Sequence, residues 1–181
     1  VIPPIEEDKE EVGFNGVTGM FTRVFDTFVM ELLEKTGNTK MSALDRTFSN
    51  TKALSADVDA ALDPIYASVS ERNNASFLGY GIGFNKYTGA RGKSGASDAD
   101  AEYFSEIRRV FNKHDIKWQV SELGKVDEGG GGTVAQFLAN RGIKTIDAGV
   151  GVIGMHSPFE ITSKYDVFES YKAYKVFYMN V

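Results

Sequence analysis

Two glutamates stand side by side at positions 10 and 11, in the stretch DKEEVG. In an extended segment neighbouring side chains point in opposite directions, so one carboxylate could bind a cation while the other handles a proton beside it. The alternative is a solvated loop, because Glu6, Glu7 and Asp8 precede the pair and acidic runs usually face water. Asp57 closes the short segment KALSAD, 52–57, which reads as a buried strand. Ligands of an open α/β sheet gather beyond the carboxyl ends of its strands, although an acid in that place also serves to cap a turn. His156, in GVIGMHSPFE, is one of two histidines and follows an apolar, glycine-spaced stretch. An imidazole there is either a ligand or a satisfied core or turn residue. The other, His114 in FNKHD, falls near a predicted helix C-terminus, where the helix dipole favours it, and is read as structural. Lys86, Arg91 and Lys93 make a basic, mobile loop that could hold a carboxylate or simply face solvent.

Elements must bring these residues together. VIPPI reads as a strand, and apolar residues from Met20 to Leu33 recur at helical spacing, predicting a helix from Val17 that ends at Gly37. SFLGYGIGFNK, 76–86, reads as a strand that its glycines allow to pack closely. Ser97 is an N-cap candidate for a helix with Ala101, Phe104, Ile107, Val110 and Phe111 on one face. IKWQVSE, 116–122, and IKTIDAG, 143–149, read as strands, and a helix is expected over Thr133–Arg141 with Gly142 after it. Val167, Tyr171, Tyr174 and Phe177 predict a tail helix from Ser163 onward. Strands alternating with helices predict an α/β fold, a mostly parallel sheet flanked by helices, as a single domain over 1–181.

Composition narrows the chemistry. With 181 residues and 42% hydrophobic content the chain can bury one substantial core. It has no cysteine, which excludes disulfides and thiolate-held metals and leaves carboxylate, imidazole or water as metal donors. A net charge of −5 argues against nucleic acid as a partner, and no apolar run approaches the roughly twenty residues needed to span a bilayer. A soluble, cytoplasmic protein with no membrane association is expected. The glycine run in GKVDEGGGGT could expose backbone amides to a phosphate, but it matches neither nucleotide-binding fingerprint. More simply, it lets backbone pass close to a neighbour.

The ordered set DKEEVG, ALSADVDAALDP, KYTGARGKSGASDA, SELGKVDEGGGGT and GMHSPFE resembles the aspartyl aminopeptidase family of cocatalytic metallopeptidases. The resemblance runs over nearly the whole chain and covers the C-terminal part of that family's catalytic domain. It implies a zinc-exopeptidase-like fold and a metal-dependent aminopeptidase that releases N-terminal residues from peptides. It further implies Glu10 as general base, Glu11 and His156 on one ion, Asp57 on the other, and Lys86 near the substrate. Two divalent ions are implied, zinc first, with cobalt or manganese as alternatives. An upstream histidine ligand and a bridging aspartate have no counterpart here, so the implied partner is the missing N-terminal part, and full-length members are expected to be homo-oligomers. Where many members carry histidines this chain has Ala60 and Asp63, so a preference for acidic residues does not carry over. The contrasting expectation is a non-catalytic α/β interaction module.

Overall fold

A computed structural model describes residues 9–91, 93–125 and 127–181. The strand expected over VIPPI and the acids Glu6, Glu7 and Asp8 lie outside the described residues. The first long helix, α1 (Val24–Lys35), begins later than the apolar spacing predicts. Met20 and Phe21 precede it in turns because the chain folds back there, burying Phe14 and Met20 against Phe137 instead of continuing the helical stripe. A second helix, α2 (Ala43–Ser49), was not anticipated; it leads into β1 (Lys52–Ser55), and β2 (Asp59–Ala60) follows.

Of the strand expected over 76–86 only β3 (Ile82–Asn85) forms. Ahead of it the N–H groups of Gly79 and Gly81 donate to the Asp166 carboxylate, 2.6 and 2.7 Å away, and those turns leave no room for a longer ladder. The expected basic loop is a hairpin, β4 (Tyr87–Ala90) and β5 (Ser94–Asp98). Ser97 therefore lies in a strand, and the cap of α3 (Ala101–Lys113) is Asp100, whose carboxylate accepts from the Tyr103 N–H at 2.6 Å. Then come β6 (Trp118–Ser121), a short α4 (Ala135–Ala139) in place of the expected Thr133–Arg141, and β7 (Lys144–Gly149). The chain closes with β8 (Gly151–Ile153), β9 (Ile161–Thr162) and the tail helix α5 (Lys164–Asn180), capped by Ser163.

The main sheet runs β1–β7–β3–β6, parallel at β1/β7 and β3/β6 and antiparallel at β7/β3. The expected parallel character holds for two of three pairings. The reversal in the middle is set by register: Asp147 stands opposite both Ser55 and Asn85, and Asn85 opposite Ser121. One face of the sheet thus carries a row of four polar side chains, all buried. The alternate residues Ile82, Phe84, Ile146 and Ala148 point the other way and pack on Tyr103, Ile107 and Phe111 of α3 and on Ala173 and Phe177 of α5. Phe84 meets the ring of Phe111 with centroids 5.3 Å apart. Burying these side chains supplies most of the hydrophobic stabilisation.

The polar face is covered by backbone crossing it closely. The glycine run lies beside β4, the Gly89 N–H donating to Gly131 O at 2.9 Å and the Arg91 N–H to Gly129 O at 2.7 Å. A Cβ on Gly130 would stand 2.4 Å from Gly89 O, so its φ of 88° and missing side chain serve backbone contact. Further along, the chain between β1 and β2 passes over Gly149, where a Cβ would lie 1.5 Å from the Asp57 carbonyl oxygen. Gly149 therefore fixes where Asp57 sits. The change Gly149→Ala is expected to displace Asp57 and cost about 3 kcal/mol, read as a lower urea midpoint in chemical unfolding.

Candidate metal centre

Glu10 opens a single 3-10 turn, Glu10–Val12, flanked by left-handed residues at Lys9 and Gly13. The Gly13 N–H donates to Glu10 O at 2.9 Å and the Phe14 N–H to Lys9 O at 2.7 Å, closing a tight loop that presents both glutamates. Glu11 is exposed, while Glu10 is half-buried. His156, at φ 64°, sits in the turn between β8 and β9, with its backbone N–H donating to Glu160 Oε1 at 2.7 Å. Its Nδ1 lies 3.7 Å from Glu11 Oε2. Residues 145 positions apart in sequence are therefore neighbours, His156 following the β7–β8 segment whose Gly149 also positions Asp57.

Asp57, just past β1, accepts from the Val58 N–H at 2.8 Å. Burial lifts its carboxyl above the usual range; the Val58 bond opposes this, the Glu11 charge adds to it, and His156 pulls it back. Burial likewise raises Glu10, helped by the charges of Asp57 and Glu11 and countered by His156. Glu10 and Asp57 thus both lie in the electrostatic field of Glu11 and His156, the pair whose side chains come within 3.7 Å. Lys86 makes a separate contact, its ammonium 2.5 Å from Asp98 Oδ1 across the base of the hairpin.

The donor set suits a borderline divalent ion: carboxylate oxygens and an imidazole nitrogen, with no thiolate. Two donors on one tetrahedral zinc stand roughly 3.4 Å apart, and the separation of 3.7 Å between Glu11 and His156 is close to that. Among the described residues no group of three or more His, Asp or Glu could hold an ion. The division implied by the motif resemblance asks only for a pair and a single donor, and the residues fit that division.

Two acids that sequence reasoning did not single out lie beneath this cluster. Asp59 is fully buried and accepts from the Ser121 hydroxyl at 2.5 Å. Asp147, also buried, accepts from Thr133 Oγ1 at 2.8 Å. One oxygen of each has no hydrogen-bond partner among the described residues. Burial pushes Asp147 up to about 7, against the Thr133 bond and with help from the charges of Asp57 and Asp59. The one signal in the chain was an acid inside an otherwise strand-like run, IKTIDAG.

Fold and donors together describe an α/β fold carrying carboxylates beside an imidazole. Residues 5–178 match the family model described as aminopeptidase I zinc metalloprotease, M18, and the chain belongs to that family. A probable M18 family aminopeptidase 1 of Borreliella burgdorferi is 54% identical over 173 residues, which make up 94% of this chain and 38% of that protein. The crystal structure of the M18 aminopeptidase from Thermotoga maritima superposes with a TM-score of 0.90 at 45% identity, covering 96% of this chain and 39% of that one. Aminopeptidase I from Clostridium acetobutylicum gives 0.85 at 47% identity, covering 94% and 36%. The chain spans little more than a third of the length of these relatives. The fold class read from the alternation of elements and the family read from the motif order both hold.

The buried carboxyl has a consequence for stability. In the metal-free protein, folded Asp147 keeps a proton that the unfolded chain releases near 3.8. The resulting contribution is full below that pH and is lost as pH rises through about 7. Three pKa units correspond to on the order of 4 kcal/mol. The urea midpoint is expected to fall between pH 5 and pH 8, and Asp147→Asn to lose much less over the same interval.

Proposed function

We propose that this chain contributes the C-terminal share of the catalytic domain of a metal-dependent aminopeptidase. The observation that carries the reading is the approach of His156 to Glu11 at 3.7 Å with Glu10 in the adjacent turn position. Glu11 and His156 would hold one divalent ion and Asp57 a second, zinc being the ion that the family description supports. When bound, the ions would supply Lewis acidity toward the scissile carbonyl and toward water.

Glu10 acts as general base in this reading. Its carboxyl is held above the ordinary glutamate range, which makes it the better proton acceptor at neutral pH. It takes a proton from the attacking water as the water oxygen bonds to the carbonyl carbon. It then returns that proton to the amine as the C–N bond breaks, so the base is regenerated. Lys86 would lie by the substrate, its charge balanced by Asp98, a pairing that weakens its attraction for an acidic side chain. Further donors come from sequence upstream, which makes the rest of the longer protein the principal partner and peptides the substrates.

A non-catalytic module is the second reading, favoured by one fact: the described residues hold no three-donor group. Zinc titration of the chain separates the two. The catalytic reading expects zinc binding that His156→Ala weakens by about 10-fold or more and that Glu10→Gln leaves unchanged. Equal affinity in wild type and His156→Ala rules out the ligand role. With the upstream donors supplied in cis, Glu10→Gln is expected to lower kcat on aminoacyl anilides by about 10² to 10⁴-fold, and undiminished turnover removes Glu10 as base.

A further inference from the structure

Among the described residues the segment from Lys9 to Arg23 contains one helical turn of three residues and no strand, yet it must hold two glutamates in register with His156. We propose that Arg141 is the positioning residue for the Glu10–Glu11 turn, acting through the backbone of Met20 and Thr22. The proposal rests on the metallopeptidase reading for its purpose, though not for its geometry.

Arg141 follows α4 and is largely buried, as is Asp26, their side chains 16% and 14% exposed. Its guanidinium reaches four acceptors. Nε donates to Asp26 Oδ1 at 2.5 Å, Nη1 to Phe137 O at 2.9 Å, and Nη2 to Met20 O at 3.3 Å and Thr22 O at 2.9 Å. Its Cζ also lies over the Phe25 ring, 6.0 Å from the ring centre. Charge-assisted bonds in a site of such low exposure are stronger than surface contacts, and the planar fork fixes several directions at once. A lysine ammonium offers the charge without the fork.

The route from Arg141 to the glutamates is contiguous. Thr22, held at its carbonyl, donates through its hydroxyl to Val17 O at 3.1 Å and Gly19 O at 2.9 Å. Gly19 packs against the Phe14 backbone so closely that a Cβ would stand 2.0 Å from Phe14 O. The Phe14 ring in turn lies 4.7 Å from that of Phe137, as does the ring of Phe21. The Phe14 N–H to Lys9 O bond then closes the loop in which Glu10 and Glu11 stand. Phe137 supplies packing to this unit and Arg141 supplies its directional bonds, from the same helical turn.

The experiment follows amide hydrogen exchange and zinc affinity in Arg141→Lys. Exchange at Gly13 and Phe14 is expected to accelerate about 10-fold or more while Ile107 and Phe111 of α3 keep wild-type rates, and zinc affinity to fall by about 10-fold. Wild-type rates at Gly13 and Phe14 overturn the proposal. If α3 loosens equally in Arg141→Lys, Asp26→Asn decides, since it keeps the guanidinium but removes the charge that aims it at the Met20 and Thr22 carbonyls. Selective acceleration at Gly13 and Phe14 then supports the positioning role, and uniform acceleration or none overturns it. Should the wild-type chain bind no zinc, the metallopeptidase reading fails, and the exchange rates still judge Arg141.

Discussion

The register that sets Ser55, Asp147, Asn85 and Ser121 in one row across four strands is the constraint on which the rest of the molecule depends. With a side-chain period of two, that row commits one face of the sheet to polar groups and the other to Phe84, Ile146 and Ala148. A slip of one residue would put Asp147 among the aromatic rings of α3 and Ile146 under the site. The apolar face has an obvious driving force in α3 and α5. The polar face has to be closed by hydroxyls and by backbone, which is why Thr133, the glycine run and the Asp57–Asp59 crossing all meet there.

That closure concentrates negative charge. The charge of Asp57 reaches both Glu10 and Asp147, and burial raises the carboxyls of Glu10, Asp57, Asp59 and Asp147 above their ordinary values. Acids crowded in this way repel one another and favour either protons or a cation as counter-charge. Glu11 is exposed and Asp57 partly buried, whereas Asp59 and Asp147 are fully buried and anchor the strands behind them.

The short helix α4 links the two halves of this arrangement. On one side the chain entering it bonds Asp147 through Thr133; on the other, Phe137 and Arg141 dock the irregular segment that carries the glutamates. The β7–β8 segment does the corresponding service for Asp57 and His156. Glu10, Glu11, Asp57 and His156 thus all stand on turns and loops held by neighbouring helices and strands, an arrangement that leaves the loops free to differ while the frame is kept.

Much was legible in the chain itself. The stripe on α3, the tail helix and the strands at Ala53, Trp118 and Ile146 follow from periodicity, because an amphipathic helix or strand shows its buried face in its own spacing. The motif order was enough to name the family. Periodicity misread the stretch before α1, where apolar residues at helical spacing serve a folded-back turn, and the basic stretch after β3, whose hairpin depends on pairing with glycines some 40 residues on. Neither Asp59 nor Asp147 could be recognised as buried acids, because their partners Ser121 and Thr133 come from other strands and loops. What the amino-acid order determined was which elements form and which chemistry the side chains allow. Only the tertiary structure decided which acid faces the imidazole and which lies beneath it, because burial and distance depend on residues far apart in sequence being brought together by the register of the sheet.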